Sequence, residues 1–94
     1  MAYDIGDLVR LSASFTNSVG SAVDPTTVAV KYKAPGAATV TKTYALAEVT
    51  KDSTGHYHYD VSVTVEGHWY YRWESTGTGQ AAAEDVFYVN PTRV

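Results

Sequence analysis

The chain has no cysteine, so no disulfide closes its loops and no thiolate can ligate a metal. Leucine and isoleucine together number only four, and no window carries the i, i+3, i+4, i+7 apolar spacing of an amphipathic helix. No run approaches the ~18 apolar residues that would span a bilayer, so no membrane partner is expected. Charge is sparse as well. Charged residues make up 18% of the chain, against roughly 25% in an average soluble domain. The formal net charge is −3, which argues against a nucleic-acid grip built on phosphate neutralisation. The first seven residues carry acids where a secretory signal would carry a basic region and an apolar run, so the expected place of synthesis is the cytoplasm.

What is abundant points one way. Valine (13), threonine (12) and tyrosine (8) supply about a third of the 94 residues, and all three favour the pleated, half-buried surface of a sheet. With 45% hydrophobic residues, residues 1–94 can close one core but not two, so a single all-β domain is expected.

Period-two alternation locates the strands. Over residues 7–17, Val9, Leu11, Ala13 and Phe15 share one face; over 27–33, Val28, Val30 and Tyr32 do. Residues 39–46 place Val40, Lys42, Tyr44 and Leu46 together, and a lysine in that row marks an edge strand defended against further pairing. Residues 47–55 read as a loop. From His56 onward, Tyr57, Tyr59, Val61 and Val63 point inward and His56, His58, Asp60 and Ser62 outward. Glu66 and Gly67 are expected to form a tight hairpin into residues 68–74, where Trp69, Tyr71 and Trp73 share the inner face. After a loop at 75–80, the last strand at 83–89 has two readings of its phase: Val86 and Tyr88 inward would expose Phe87, and the favoured reading buries Phe87 and Val89, with a bulge expected near Glu84 or Asp85. Six or seven such antiparallel strands hide their apolar faces most economically as two packed sheets, an immunoglobulin-like β-sandwich.

The run Asp52-Ser53-Thr54-Gly55-His56-Tyr57 resembles the turn entering a late strand of many immunoglobulin-like domains, where the tyrosine hydroxyl ties the corner to nearby backbone. The run from Gly67 to Gly77, followed by Phe87-Tyr88-Val89, resembles the closing hairpin of short immunoglobulin-like proteins encoded among the structural genes of tailed bacteriophages and prophages. The opening Asp4-Ile5-Gly6-Asp7-Leu8-Val9-Arg10-Leu11 and the step Asp24-Pro25-Thr26-Thr27-Val28 are similar to the same group. The resemblance implies a virion component made in the host cytoplasm and attached to the head, the neck or a fibre, with capsid or tail proteins as partners. It supplies no catalytic residue to carry over and no cofactor.

Several side chains invite a functional reading. His56, His58 and Asp60 fall at i, i+2 and i+4, on one strand face and roughly 7 Å apart in succession, and His68 opens the following strand. That set is a loose candidate for a divalent metal, weighed against an ordinary solvated face. Tyr70 and Arg72 are expected to stand outward beside His58 and Asp60. Tyrosine and arginine are enriched at interface hot spots, so these four residues form the candidate partner-binding patch. Its partner is expected to be a protein; a host-surface glycan held by His58, Tyr70 and Arg72 is the competing reading. The carboxylates Glu66, Glu74, Glu84 and Asp85 lack a matching nucleophile, and Ser12, Ser14 and Ser62 lack a nucleophile-elbow context, so no enzymatic activity is expected. An edge such as the Lys42 strand leaves self-association open.

Overall fold

The structure is a computed structural model that describes residues 2–78 and 82–92. These residues form eight strands: β1 Ala2–Asp4, β2 Leu8–Ser14, β3 Thr27–Lys33, β4 Val40–Thr43, β5 Thr50–Ser53, β6 His56–Ser62, β7 Gly67–Thr76 and β8 Ala82–Asn90. They contain no helix, hence none long and apolar enough to cross a membrane. Five strands make one sheet in the order β1-β8-β7-β3-β4, and three make a second in the order β2-β6-β5.

The alternation seen in the sequence is the alternation of burial. Val9 and Leu11 of β2 and Tyr57 and Val61 of β6 are buried from one sheet. Val28, Val30, Trp69, Trp73, Phe87 and Val89 are buried from the other, and all ten belong to one apolar cluster. Tyr32 of β3 stacks on Tyr59 of β6 with ring centroids 5.8 Å apart, so the two sheets meet through their aromatic faces. Trp69 lies between Tyr32 and Phe87, stacked on both, and its indole N–H donates to the Val65 carbonyl at 3.1 Å. With no disulfide, this aromatic layer is the main stabilising resource, since each such ring buries about 150–250 Å².

Several expectations are corrected. The strand count rises to eight because β1 and β5 escaped notice. β1 is three residues long, too short to show a period, and it pairs parallel to β8 rather than antiparallel. All four residues of β5 are exposed, so it has no apolar face to read. The turn at Glu66 and Gly67 is not a hairpin: β6 and β7 lie in different sheets, and residues 63–66 carry the chain across. A four-residue connection leaves room to change sheets, which a two-residue turn does not. The bulge near Asp85 is absent, because the β7–β8 ladder runs without a shift from Gly67 opposite Val89 to Glu74 opposite Ala82. β4 is an edge strand, as Lys42 implied, but it ends at Thr43, and Leu46 is exposed in the turn beyond. Of the loop expected at 75–80, Ser75 and Thr76 belong to β7, while 79 and 80 lie outside the described residues.

The corner before β6 shows why its residues are what they are. Gly55 has φ +77°, and a Cβ there would stand 2.7 Å from the Phe15 carbonyl oxygen, so both backbone conformation and space demand glycine. Its N–H donates to Asp24 Oδ1 at 2.9 Å, and the Tyr57 hydroxyl donates to the same oxygen at 3.1 Å. The tyrosine thus anchors the corner as expected, but to a carboxylate instead of to backbone.

Candidate functional site

The topology divides the four candidate contact residues. His58 and Asp60 stand on the outer face of the three-stranded sheet, and Tyr70 and Arg72 on the outer face of the five-stranded sheet, with the whole interior between them. The patch expected from a β6–β7 hairpin therefore does not assemble. His68 is likewise on the five-stranded sheet, away from His56, His58 and Asp60. Among the described residues no group of three or more His, Asp or Glu side chains is placed to hold a metal ion.

The outer face of the three-stranded sheet is a lattice of mutually satisfied charges. Arg10 Nε and Nη2 donate to Asp60 Oδ1 and Oδ2 at 2.9 and 3.1 Å, a bidentate pair that holds the Asp60 carboxyl below the usual carboxylate range. His58 Nδ1 lies 2.7 Å from Asp52 Oδ1 of β5, and its Nε2 lies 3.9 Å from Asp60 Oδ2. These partners cover the ring to 9% exposure, so His58 is not the solvated residue that its outward phase implied. Ser14 Oγ and His56 Nδ1 sit 3.0 Å apart as a directly opposed cross-strand pair. Among the described residues no carboxylate is paired with the other nitrogen of that ring, so the contact lacks the orienting third group of a nucleophile–base–acid set. Nearby, Lys51 Nζ lies 2.7 Å from Asp24 Oδ2. The Lys51 ammonium, then the Gly55 N–H, and lastly the Tyr57 hydroxyl pull the Asp24 carboxyl below its ordinary pKa. Burial, followed by the Asp24 carboxylate, pushes the Tyr57 phenol up to about 12.

The outer face of the five-stranded sheet is built differently. Strand pairing sets Tyr70 between Lys33 of β3 and Val86 of β8, and His68 opposite Tyr88, whose rings lie 5.0 Å apart. Tyr70 is 55% exposed, Val86 45% and Tyr88 37%. Next to this apolar row, Arg72 and Lys31 bracket Glu74 at 2.8 and 3.1 Å, and the Arg72 bond, then the Lys31 bond, hold its carboxyl below the usual range. Lys31, Lys33, Tyr70 and Arg72 line a shallow depression of about 380 Å³. Tyr70 and Arg72 are therefore neighbours, as the alternation of β7 required. The phase that buries Phe87 and Val89 also turns Val86 and Tyr88 outward beside Tyr70, which makes them contact residues that the sequence patch did not include. The exposed set was available as the complement of the buried one.

Among the described residues the geometry offers two opposed surfaces, one polar and internally paired, the other aromatic with a basic margin, and no assembled catalytic constellation. Comparison with protein-family models, with curated proteins and with solved structures finds no match.

Proposed function

We propose that the chain is a non-enzymatic structural subunit of a tailed-bacteriophage virion, an immunoglobulin-like sandwich that docks through the outer face of its five-stranded sheet. The order β1-β8-β7-β3-β4 against β2-β6-β5 supports the fold reading. Three hairpins, β3–β4, β5–β6 and β7–β8, and four crossings between sheets, β1–β2, β2–β3, β4–β5 and β6–β7, are what a Greek-key, immunoglobulin-like reading calls for. The virion setting rests on the resemblance of the opening segment and the closing hairpin to short phage structural proteins.

The observation that carries the docking role is the row Tyr70, Val86 and Tyr88, large apolar side chains left exposed on a rigid sheet. Burying them from water favours association in proportion to the area covered. Tyrosine adds a hydroxyl and loses little conformational freedom, and the neighbouring Arg72 supplies a planar charge for a polar rim. The rest of the surface carries few long flexible side chains, which lowers the entropy cost of being covered.

The test is mass spectrometry on purified particles of the parent phage, with the wild-type chain and a Tyr70→Ser/Tyr88→Ser double variant. The wild type is expected in the particles and the double variant is expected to be depleted from them while staying folded, with its thermal midpoint lowered by only a few degrees. Particles lacking the wild-type chain would reject the virion role; full incorporation of the double variant would move docking to another face.

A further inference from the structure

A third surface belongs to neither face. β8 is covered on its outer edge by β1 only at Tyr88, Val89 and Asn90, and among the described residues no strand pairs with that edge over 82–87. Among the described residues β2 also has a strand neighbour on one side only. Between the two edges runs a cleft of about 280 Å³, with Ala13 and Phe15 from the β2 side, Ala83 and Asp85 from β8, and Tyr71 and Trp73 between them. This is where the continuous β7–β8 ladder turns Asp85 toward the interior phase while leaving it exposed: the smaller sheet does not reach over it.

Three features mark the cleft as incomplete. The indole N–H of Trp73 is shielded from water and has no acceptor among the described residues, although a buried donor of this kind is normally paired. The Val86 N–H donates to the carboxylate of the preceding residue, Asp85, at 2.8 Å, so a local side chain occupies the place of a ladder carbonyl. Neither lysine nor proline stands on β8 to block pairing, in contrast to β4 with Lys42.

We propose that this cleft accepts an extended, basic segment of a partner protein, added as a strand along residues 82–87 of β8 where the cover by β1 stops. Main-chain pairing with the open edge supplies the affinity and alternate side chains enter the cleft, the mode of strand addition. Charge fixes the kind of segment. Glu84 and Asp85 give this edge two adjacent carboxylates; Arg72 lies 3.7 Å from Glu84, and no lysine or arginine of the described residues pairs with Asp85. When a carbonyl of the added strand takes the Val86 N–H, the Asp85 carboxylate is released toward a lysine or arginine of the occupant. The same edge of a second copy would bring carboxylates against carboxylates, which disfavours a self-paired edge.

The experiment uses the full chain, labelled for NMR, and three short capped synthetic peptides: alternating Val and Lys, alternating Val and Glu, and the Lys peptide with a central proline. The Val/Lys peptide is expected to slow exchange of the Val86 amide and to move the Trp73 indole N–H resonance while leaving that of Trp69, already bonded to Val65, in place. The other two peptides are expected to bind at least about tenfold more weakly. Asp85→Lys should weaken the Val/Lys peptide about tenfold and favour the Val/Glu peptide. Val86→Pro, which deletes the edge N–H, should abolish binding; where it also lowers the thermal midpoint, Asp85→Lys carries the decision. No binding, equal binding of the Val/Glu peptide, or shifts confined to Tyr70 and Tyr88 would overturn the proposal. Protection of Val86 that grows with protein concentration in the absence of peptide would also overturn it, assigning the edge to a second copy.

Discussion

The two outer faces of this molecule solve the same problem in opposite ways. On the outer face of the three-stranded sheet each charge has found a partner from the same chain: Arg10 holds Asp60, and Asp52 holds His58. On the five-stranded sheet the charges Lys31 and Arg72 are paired with Glu74 as well, but Tyr70, Val86 and Tyr88 stay exposed beside them. A face whose polar groups are already satisfied has little to gain from a partner, because desolvating a paired charge costs more than a new contact returns. Exposed aromatics on a rigid strand lose nothing but water. The lesson is that the histidine-rich strand, the more conspicuous one in the sequence, is the one occupied with its own structure.

That contrast holds only while the two sheets share one cooperative core, and Trp69 tests it most severely. Trp69→Ala removes a ring stacked on both Tyr32 and Phe87 and should cost about 3–5 kcal/mol. Chemical denaturation followed by near-ultraviolet circular dichroism and by amide exchange should show both sheets losing protection together. Persistent protection of β2 and β6 alone would mean that the smaller sheet has its own stability.

Next in size is the polar face itself. His58→Ala leaves Asp52 without its bond to β6 and opens a nearly covered site, with an expected loss of about 1–2 kcal/mol in urea titration. A loss near zero would make that lattice ornamental and restore His58 as a free contact residue. Acid probes both faces at once. Asp60 on one face, Glu74 on the other and Asp24 at the corner before β6 have folded-state pKa values below their ordinary ones. Each therefore contributes stability that is present above the unfolded value near ~4 and lost as pH falls through the folded value. The thermal midpoint should be flat above that value and fall below it, and Asp60→Asn and Glu74→Gln should each make the fall shallower. At the other end of the scale, the raised Tyr57 pKa means that its contribution is complete below about 10 and is lost as pH rises toward about 12, which absorbance of the phenolate would report.

How much of this was legible in the sequence follows from burial period. Val9, Leu11, Val28, Val30, Trp69, Trp73, Phe87 and Val89 announced themselves because alternate residues of a strand with one buried face must alternate in polarity. β5 was silent since nothing on it is buried, and β1 since pairing three residues to β8 needs no pattern. The separation of His58 from Tyr70 was not legible, because alternation reports which side of its own sheet a residue occupies and says nothing about which sheet the strand has joined. Phase survived that error: the inner sets of β6 and β7 do face a common interior, from opposite sheets instead of side by side. The partnership of Asp24 with Gly55 and Tyr57 spans more than thirty positions and carries no local signature.

The smallest stability effect belongs to the residues to which the docking role assigns most. Tyr70→Ser removes a half-exposed ring whose neighbours are the strand partners Lys33 and Val86, so it should cost no more than about 0.5 kcal/mol. In a domain of this size that is a midpoint shift of about 2–4 °C. Cross-strand pairing of an aromatic with a β-branched residue can contribute up to about 1 kcal/mol, and a measured loss at or above that level would mean that Tyr70 is held in place by the sheet and explained by it. A loss within the expected range leaves a large apolar side chain without a structural reason to be exposed. A surface-active fluorescent dye then separates the faces: binding to the wild type that falls with Tyr70→Ser but not with Arg10→Gln places the accessible apolar area on the five-stranded sheet. Equal loss from both variants would erase the contrast between the two faces.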